Sequence, residues 1–392
     1  MIFDIMNNEI TLWDMPDNRV YIKMNETAIK EIFRLAVNIV KTKASLARKL
    51  EIKSIRNLYS YIYGDYFIPL KMVKRILDII SSEQRICIID LIEKNIVAIK
   101  SLGNSKPIFN PKFPIKFNAK MSKITGHIIG DGGIYNLNGT YVAHYSNKSN
   151  FLINAFKKDI IDIFGNTDIY TFYDKRKDAY RITLPSIVGL ILNLVLRKQN
   201  DQSKHIPKII LNADKKIKSS FLKALYDDEG DVSLGSSDGG GRSIGLSQKN
   251  KKVIDGIKKI LKEFRITPGK TGKSTDYRTM TTYYNFAITG KHDFEKFAKE
   301  ISFDHSEKKE KIKIMLKSYQ IDRYKKGEME NKIIELLSKN NMNFIDISKC
   351  LKRRPEHRIR KKLLNLEKNN IIASEKNING FKVYYLKSMI KL

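Results

Sequence analysis

Cysteine is scarce. Cys87 and Cys350 are the only two, far apart in 392 residues, so neither a disulfide framework nor a cysteine zinc site can be built, and a reducing interior suits the chain. The six histidines (127, 144, 205, 292, 305, 357) never pair at ligand spacing, and no zinc is expected. Long hydrophobic runs are also missing. The most apolar one, Ile187 to Leu196, is broken by Gly189 and Asn193. It falls short of the roughly 20 residues a membrane span needs. The start, Met1-Ile2-Phe3-Asp4, lacks a basic region followed by an apolar one. A soluble, cytoplasmic protein with no membrane partner is expected. Proline is sparse, yet three of the nine (Pro107, Pro111, Pro114) crowd into eight residues. Residues 104–120 therefore read as an extended Pro/Lys linker between folding units.

Acid is in deficit: 42 Asp and Glu face 73 Lys and Arg, a formal charge of +31 with a pI near 9.8. Such an excess implies a polyanionic partner, nucleic acid first and an anionic membrane surface second. The length allows two or three domains with ample core.

One nine-residue pattern occurs twice. The first copy is Ile124-Thr125-Gly126-His127-Ile128-Ile129-Gly130-Asp131-Gly132, and the second is Leu222-Lys223-Ala224-Leu225-Tyr226-Asp227-Asp228-Glu229-Gly230. Both are apolar at helical spacing, with a small residue third (Gly126, Ala224) that lets two helices approach almost backbone to backbone. Each ends in a carboxylate and then a glycine, which fits a left-handed C-cap before a strand. The carboxylates stand at the helix end that disfavours them, by roughly 0.3–1 kcal/mol each. If the two helices pair, Asp131 and Glu229 also converge, a conflict that a divalent cation resolves.

The paired stretches resemble the LAGLIDADG homing endonucleases in their single-chain, two-motif, free-standing form. The resemblance implies that the acid before the closing glycine binds metal, which places Mg²⁺ (or Mn²⁺) at Asp131 and Glu229. The first copy departs from the family pattern at its sixth position, Ile129, where an aspartate is common. The family also carries a catalytic lysine late in each half. Lys204, in Lys204-His205-Ile206-Pro207, and Lys308 (or its neighbour Lys309) match it.

The rest of the chain reads in order. Trp13 and Tyr21 suggest a small strand or cover. Residues 1–103 form an N-terminal helical domain with a helix-turn-helix: a helix at Ser45–Leu50, a turn at Glu51–Lys53, and a second helix capped by Ser54 and closed at Gly64. Lys53, Ser54, Arg56, Asn57 and Ser60 would face a groove. Residues 121–325 hold two repeats, about 121–215 and 216–325. After Asp131 come strands at 133–135 and 141–146, a helix over 149–164, strands at 168–173 and 179–184, and a helix from Pro185. After Glu229 the order recurs, with strands near 231–234 and 243–247 and a helix from about Asn250. Ser146-Asn147-Lys148 matches Ser247-Gln248-Lys249, and the three-residue difference from the spacing of the acids fits in the glycine-rich loop Gly235–Gly241. That loop lacks the Lys-Ser/Thr ending of a phosphate-binding loop and reads as a hairpin tip.

Two such repeats give an α+β fold: a pseudo-symmetric tandem αββαββα saddle of antiparallel ribbons, wide enough to straddle a major groove. Tyr180, Ile182 and Leu184 alternate with Arg181 and Thr183, so one face packs and the other can read bases. Lys175, Arg176, Lys177, Arg181, Lys270, Lys273 and Arg278 form a DNA footprint on the concave face. From Glu328 three helices, the third opened by Pro355, and two strands at 371–374 and 381–386 about Asn379-Gly380 describe a winged helix over 328–392. Residues 331–392 carry 15 Lys and Arg against 5 Asp and Glu. Arg353, Arg354, Arg358, Arg360 and Lys361 cluster at the third helix and suit nucleic acid.

The reading is a site-specific endonuclease making a metal-dependent double-strand break in a long DNA duplex. An intein is disfavoured, because the terminal Cys/Ser and His-Asn residues of splicing are missing. Two alternatives stand: a non-cleaving DNA-binding regulator with the same fold, and an RNA maturase acting on structured RNA. With both half-sites in one chain, a monomer suffices.

Overall fold

The computed structural model describes residues 9–64, 66–102, 105–196, 205–235, 241–318, 327–351, 356–376 and 382–387. The chain divides into two compact units, Met1–Leu316 and Lys317–Leu392.

At the centre of the first unit two helices, Ala119–Ile129 and Lys215–Glu229, pack along their lengths. Asn118 and Asp214 start them, each accepting hydrogen bonds from backbone N–H groups of the first turn. Ile124, Ile128, Phe221, Leu222 and Leu225 are all buried on these two helices. Each such side chain contributes about 1.5–3 kcal/mol of apolar burial. The small residues act as expected. A Cβ on Gly126 would stand 2.7 Å from the Phe221 carbonyl oxygen and 2.9 Å from the Ala224 Cβ. The Ser122 hydroxyl donates across the seam to the Ile217 carbonyl at 2.8 Å.

From each motif helix the chain enters an antiparallel four-stranded sheet. In the first, Gly132–Leu137 pairs with Thr140–Asn147, which pairs with Ala179–Thr183, which pairs with Thr171–Asp174. In the second, Gly230–Ser233, Ser243–Gln248, Thr281–Ile288 and Gly272–Asp276 repeat that order. Helices Asn150–Phe164 and Lys251–Glu263 bury Leu152, Ile153, Phe156, Val253, Ile254 and Ile257 at equivalent places. The fold is the α+β tandem the motifs implied. The expected left-handed glycines are not found: neither Gly132 nor Gly230 has positive φ, and Gly230 is extended at φ −91°, ψ 158°. Glycine is needed there for space instead. A Cβ would meet the Ile128 Cα at 2.7 Å in the first copy and the Tyr226 carbonyl oxygen at 2.6 Å in the second.

The N-terminal region is less purely helical than its sequence suggested. Strand Val20–Met24 lies between Ile68–Pro69 and Ile96–Ser101 in a third antiparallel sheet, completed by Ile108–Phe109. Residues 105–120, the described part of the expected linker, are therefore no free linker. Besides that strand they supply Ile115–Lys116, which pairs with Glu9–Ile10, and Phe109 bridges Asn166. Prolines restrict the segment to extended backbone, which is also what a short edge strand uses. Packed against helix Glu26–Val40, helices Lys43–Lys49 and Ile55–Ile62 flank a turn with Glu51 at φ +58°, and Ser54 caps the second helix through Asn57 N–H.

The second unit holds helices Glu328–Lys339, Phe344–Cys350 and Glu356–Lys368 beside a three-stranded sheet of Met342–Asn343, Lys382–Leu386 and Ile372–Lys376. Its core gathers Ile333, Leu337, Ile347, Ile359, Leu363 and Tyr384. The two-residue strand was too short to show in the sequence. Pro355 and the turn Asn379-Gly380 lie outside the described residues.

Candidate nuclease centre at the motif seam

The two motif helices bring their acidic ends together. Glu229 is the last helical residue of its copy, whereas the first helix stops at Ile129 and Asp131 stands one residue past the Gly130 cap. Each acid is held by an amide from the second strand of its own hairpin. Asn147 Nδ2 donates to Asp131 Oδ2 at 3.0 Å, and Gln248 Nε2 donates to Glu229 Oε1 at 3.0 Å. These amides are the matched residues of the two Ser-Asn/Gln-Lys triplets, so the repeat carried a structural equivalence that spacing alone did not decode.

A third acid lies between them. The Asp228 side chain is fully buried; His127 Nδ1, Tyr145 hydroxyl and Asn147 Nδ2 surround its carboxylate at 3.0, 2.8 and 3.2 Å. The consequence for Asp131 is large. Removal from water, then the charges of Asp228 and Glu229, push its carboxyl up to about 7, against smaller opposing pulls from Lys308 and His127. Its outer edge is exposed, and water there screens part of the repulsion.

Asp227 has a different task. It is buried and accepts from the N–H groups of Asp304 and His305, at the start of helix Ser306–Lys317. Burial raises its carboxyl to about 6 in spite of those donors. Ile129 occupies the matching place in the first copy and has no such role.

Lys308 reaches this end of the seam. Its ammonium donates to the carbonyls of Tyr226 (3.1 Å) and Asp227, which leaves one of its three donors for another partner. Burial lowers its pKa, and the charges of Asp227, Asp228 and Asp131 act against that. Lys204 lies outside the described residues.

The donor set is chemically suited to a hard cation, being carboxylate oxygens in mutual repulsion. Among the described residues, no group of three His, Cys, Asp or Glu side chains is placed to hold an ion by itself. A cation here would be held by one or two carboxylates, with water and phosphate completing its shell, the usual arrangement for Mg²⁺.

Strand pairing places the other expected residues. Ile182 and Tyr145 share the helix-covered face of the first sheet, while Arg181 lines up with Ser146 and Phe172 on the open face, half-buried. Lys175, Arg176 and Lys177 are exposed at the hairpin tip, as is Arg278 on the second sheet, with its side chain 95% accessible. Lys270 is exposed ahead of its strand. Lys273 departs from the expected footprint. It pairs with Tyr284, opposite buried Gln248, which puts it on the helix-covered side at the sheet edge. An even–odd parity set by the ladder decided this, and the count of basic residues could not. Lys53, Arg56 and Asn57 are exposed at the turn and second helix of the N-terminal pair, and Ser60 is half-buried there. Arg358 and Lys361 are exposed on the third helix of the C-terminal unit; Arg353 and Arg354 lie outside the described residues. No helix among the described residues is long and apolar enough to cross a membrane.

Comparison with known proteins follows the geometry. Residues 216–302 match the family model of a LAGLIDADG-like domain. The probable translation initiation factor IF-2 of Methanocaldococcus jannaschii is 28% identical over 229 residues, 55% of this chain; the chain spans about a fifth (19%) of that relative's length. Among solved structures, the homing endonuclease I-DmoI in complex with DNA and Mn is 21% identical, with 47% of this chain and 97% of that one covered, at a TM-score of 0.36. Full-length DUF199/WhiA from Thermatoga maritima is 14% identical, covering 66% and 93%, at 0.38. The family match falls on the second repeat: residues 216–302 match a LAGLIDADG-like domain, and the first repeat has the same order of motif helix and four-stranded sheet.

Proposed function

We propose that the chain is a site-specific DNA endonuclease that makes a double-strand break in a long duplex. The observation that carries this reading is the convergence of Asp131 and Glu229 at one end of the motif seam, each held by the equivalent amide of its repeat. The charges of Asp228 and Glu229 beside Asp131, whose carboxyl is pushed up to about 7, favour a bound cation over two unrelated helix ends.

Asp131 and Glu229 would hold divalent cations, Mg²⁺ or Mn²⁺, which when bound supply Lewis-acid polarisation of the scissile phosphate. Asn147 and Gln248 fix the two carboxylates in direction, so that little reorganisation remains when DNA arrives. Lys308 offsets the negative helix end at Tyr226 and Asp227 and keeps one N–H for a phosphate oxygen or a water. The open sheet faces and the basic hairpin tips would follow the duplex. The helix pair with Lys53, Arg56 and Asn57, and the C-terminal unit with Arg358 and Lys361, would lengthen the footprint by tethering.

The test is Mg²⁺-dependent cleavage of a randomised duplex library, with Asp131→Asn and Glu229→Gln as controls. Discrete products lost with either substitution support the proposal. Specific binding without cleavage in Mg²⁺ and Mn²⁺ would make the chain a DNA-binding regulator, and a strong preference for structured RNA would make it a maturase.

A further inference from the structure

Asp228 is an acid to which the motif pattern gives no task. Its counterpart in the first copy is Gly130, at a place where the helices crowd. A Cβ on Gly130 would stand 2.7 Å from Asp228 Oδ2, so the glycine makes room for the buried carboxylate. Three side chains from the other repeat surround that carboxylate. His127 Nδ1 faces Oδ2, while Tyr145 and Asn147 both donate to Oδ1.

Asn147 is the pivot. Its Oδ1 accepts the Ser149 N–H at 2.9 Å, which settles which end of the amide carries hydrogen. The two hydrogens then divide between Asp228 Oδ1 and Asp131 Oδ2. Gln248, the matching amide, accepts the Lys249 N–H at 2.8 Å and donates to Glu229. Gly130 stands where a matching buried acid would be, so the Gln248 amide has no counterpart of Asp228 there.

From this asymmetry we infer that Asp228 is a positioning residue for the Asp131 half of the site: it clamps the Asn147 amide and so holds the Asp131 carboxylate in place, while the Glu229 half depends on Gln248. The inference rests on the endonuclease reading and adds to it that the two halves respond unequally to one buried side chain.

The test uses the full chain and a duplex cut by the wild type, with the two strands labelled separately under single turnover. Asp131→Asn and Glu229→Gln first identify the strand each acid serves. Asp228→Ala removes every partner of the clamp. Asp228→Asn retains an acceptor for Tyr145 and Asn147 and can donate to His127 in its other tautomer. Asp228→Ala is expected to slow the Asp131 strand by about tenfold or more, as loss of a supporting hydrogen bond commonly does, with the other strand near wild type, so that nicked duplex accumulates. Asp228→Asn should cut both strands at near wild-type rates. A second readout needs neither DNA nor metal. In ¹⁵N-asparagine-labelled protein, the Asn147 side-chain pair should give two dispersed, slowly exchanging protons in wild type and Asp228→Asn, lost in Asp228→Ala. Equal slowing of both strands, equal damage by the two substitutions, or an unchanged Asn147 pair in Asp228→Ala would overturn the inference. A wild type that binds duplex and never cuts would refute the endonuclease reading instead, leaving the Asn147 signals to decide the clamp.

Discussion

Replacing Gly126 by alanine sets two effects against each other. Alanine in a helix interior is favoured over glycine by about 1 kcal/mol. The added Cβ, however, would lie 2.7 Å from the Phe221 carbonyl oxygen and 2.9 Å from the Ala224 Cβ. The nearer atom is backbone and cannot rotate away, so the two motif helices must separate. Overpacking of this kind costs about 1–3 kcal/mol, and the separation also lengthens the 2.8 Å bond from Ser122 to the Ile217 carbonyl. The steric effect wins, with a net loss of about 1–2 kcal/mol. In a domain of this size that lowers Tm by about 2–4 °C for each kcal/mol. Urea unfolding and calorimetry measure it directly. Ala224→Gly in the same chain removes one of the two close contacts and should recover part of the loss, a coupling of about 0.5 kcal/mol or more. A Gly126→Ala protein that melts at or above wild type would show that the seam is not packed backbone to backbone.

Three other outcomes follow from the site. Asp131 and Asp227 titrate near 7 and 6 in the fold, above the ordinary 3.8, so the native state binds protons more tightly than the unfolded chain. Their contribution to stability is therefore greatest in mild acid and falls as pH rises from about 4 to 7. Asp131→Asn should flatten that fall and stabilise the metal-free protein at pH 8 by about 1 kcal/mol, reduced by solvent at its exposed edge, as read from Tm against pH. At pH 8, millimolar Mg²⁺ should raise the Tm of the wild type by mass action and leave Asp131→Asn/Glu229→Gln unmoved; an equal rise in both would place the ion elsewhere. Asp227→Ala strips the acceptor from the Asp304 and His305 N–H groups and should cost about 2–3 kcal/mol in urea unfolding, whereas a surface-like loss under 0.5 kcal/mol would contradict the burial.

What was legible in the sequence was local or repeated. Helical spacing, the small third residue, the capping Ser54 and the alternation of Tyr180, Arg181 and Ile182 each depend on neighbours within a few positions. A duplicated pattern states its pairing twice, so Asp131 and Glu229 could be placed together before any coordinates. Tyr21 suggested a strand or cover, but the pairing of Val20–Met24 was illegible because its partners lie at Ile68–Pro69 and Ile96–Ser101. The side taken by Lys273 was equally hidden, since a ladder register reverses every side chain when it shifts by one.

The sequence alone determined that two acid-ended helices would pair in a basic, cysteine-poor chain, because periodicity, side-chain volume and charge are written in the residues themselves. Only the tertiary structure decided what Asp228 touches. Its partners His127, Tyr145 and Asn147 lie 101, 83 and 81 residues away, and no short-range pattern links them. The seam brings them within 3.2 Å, where burial makes each hydrogen bond count.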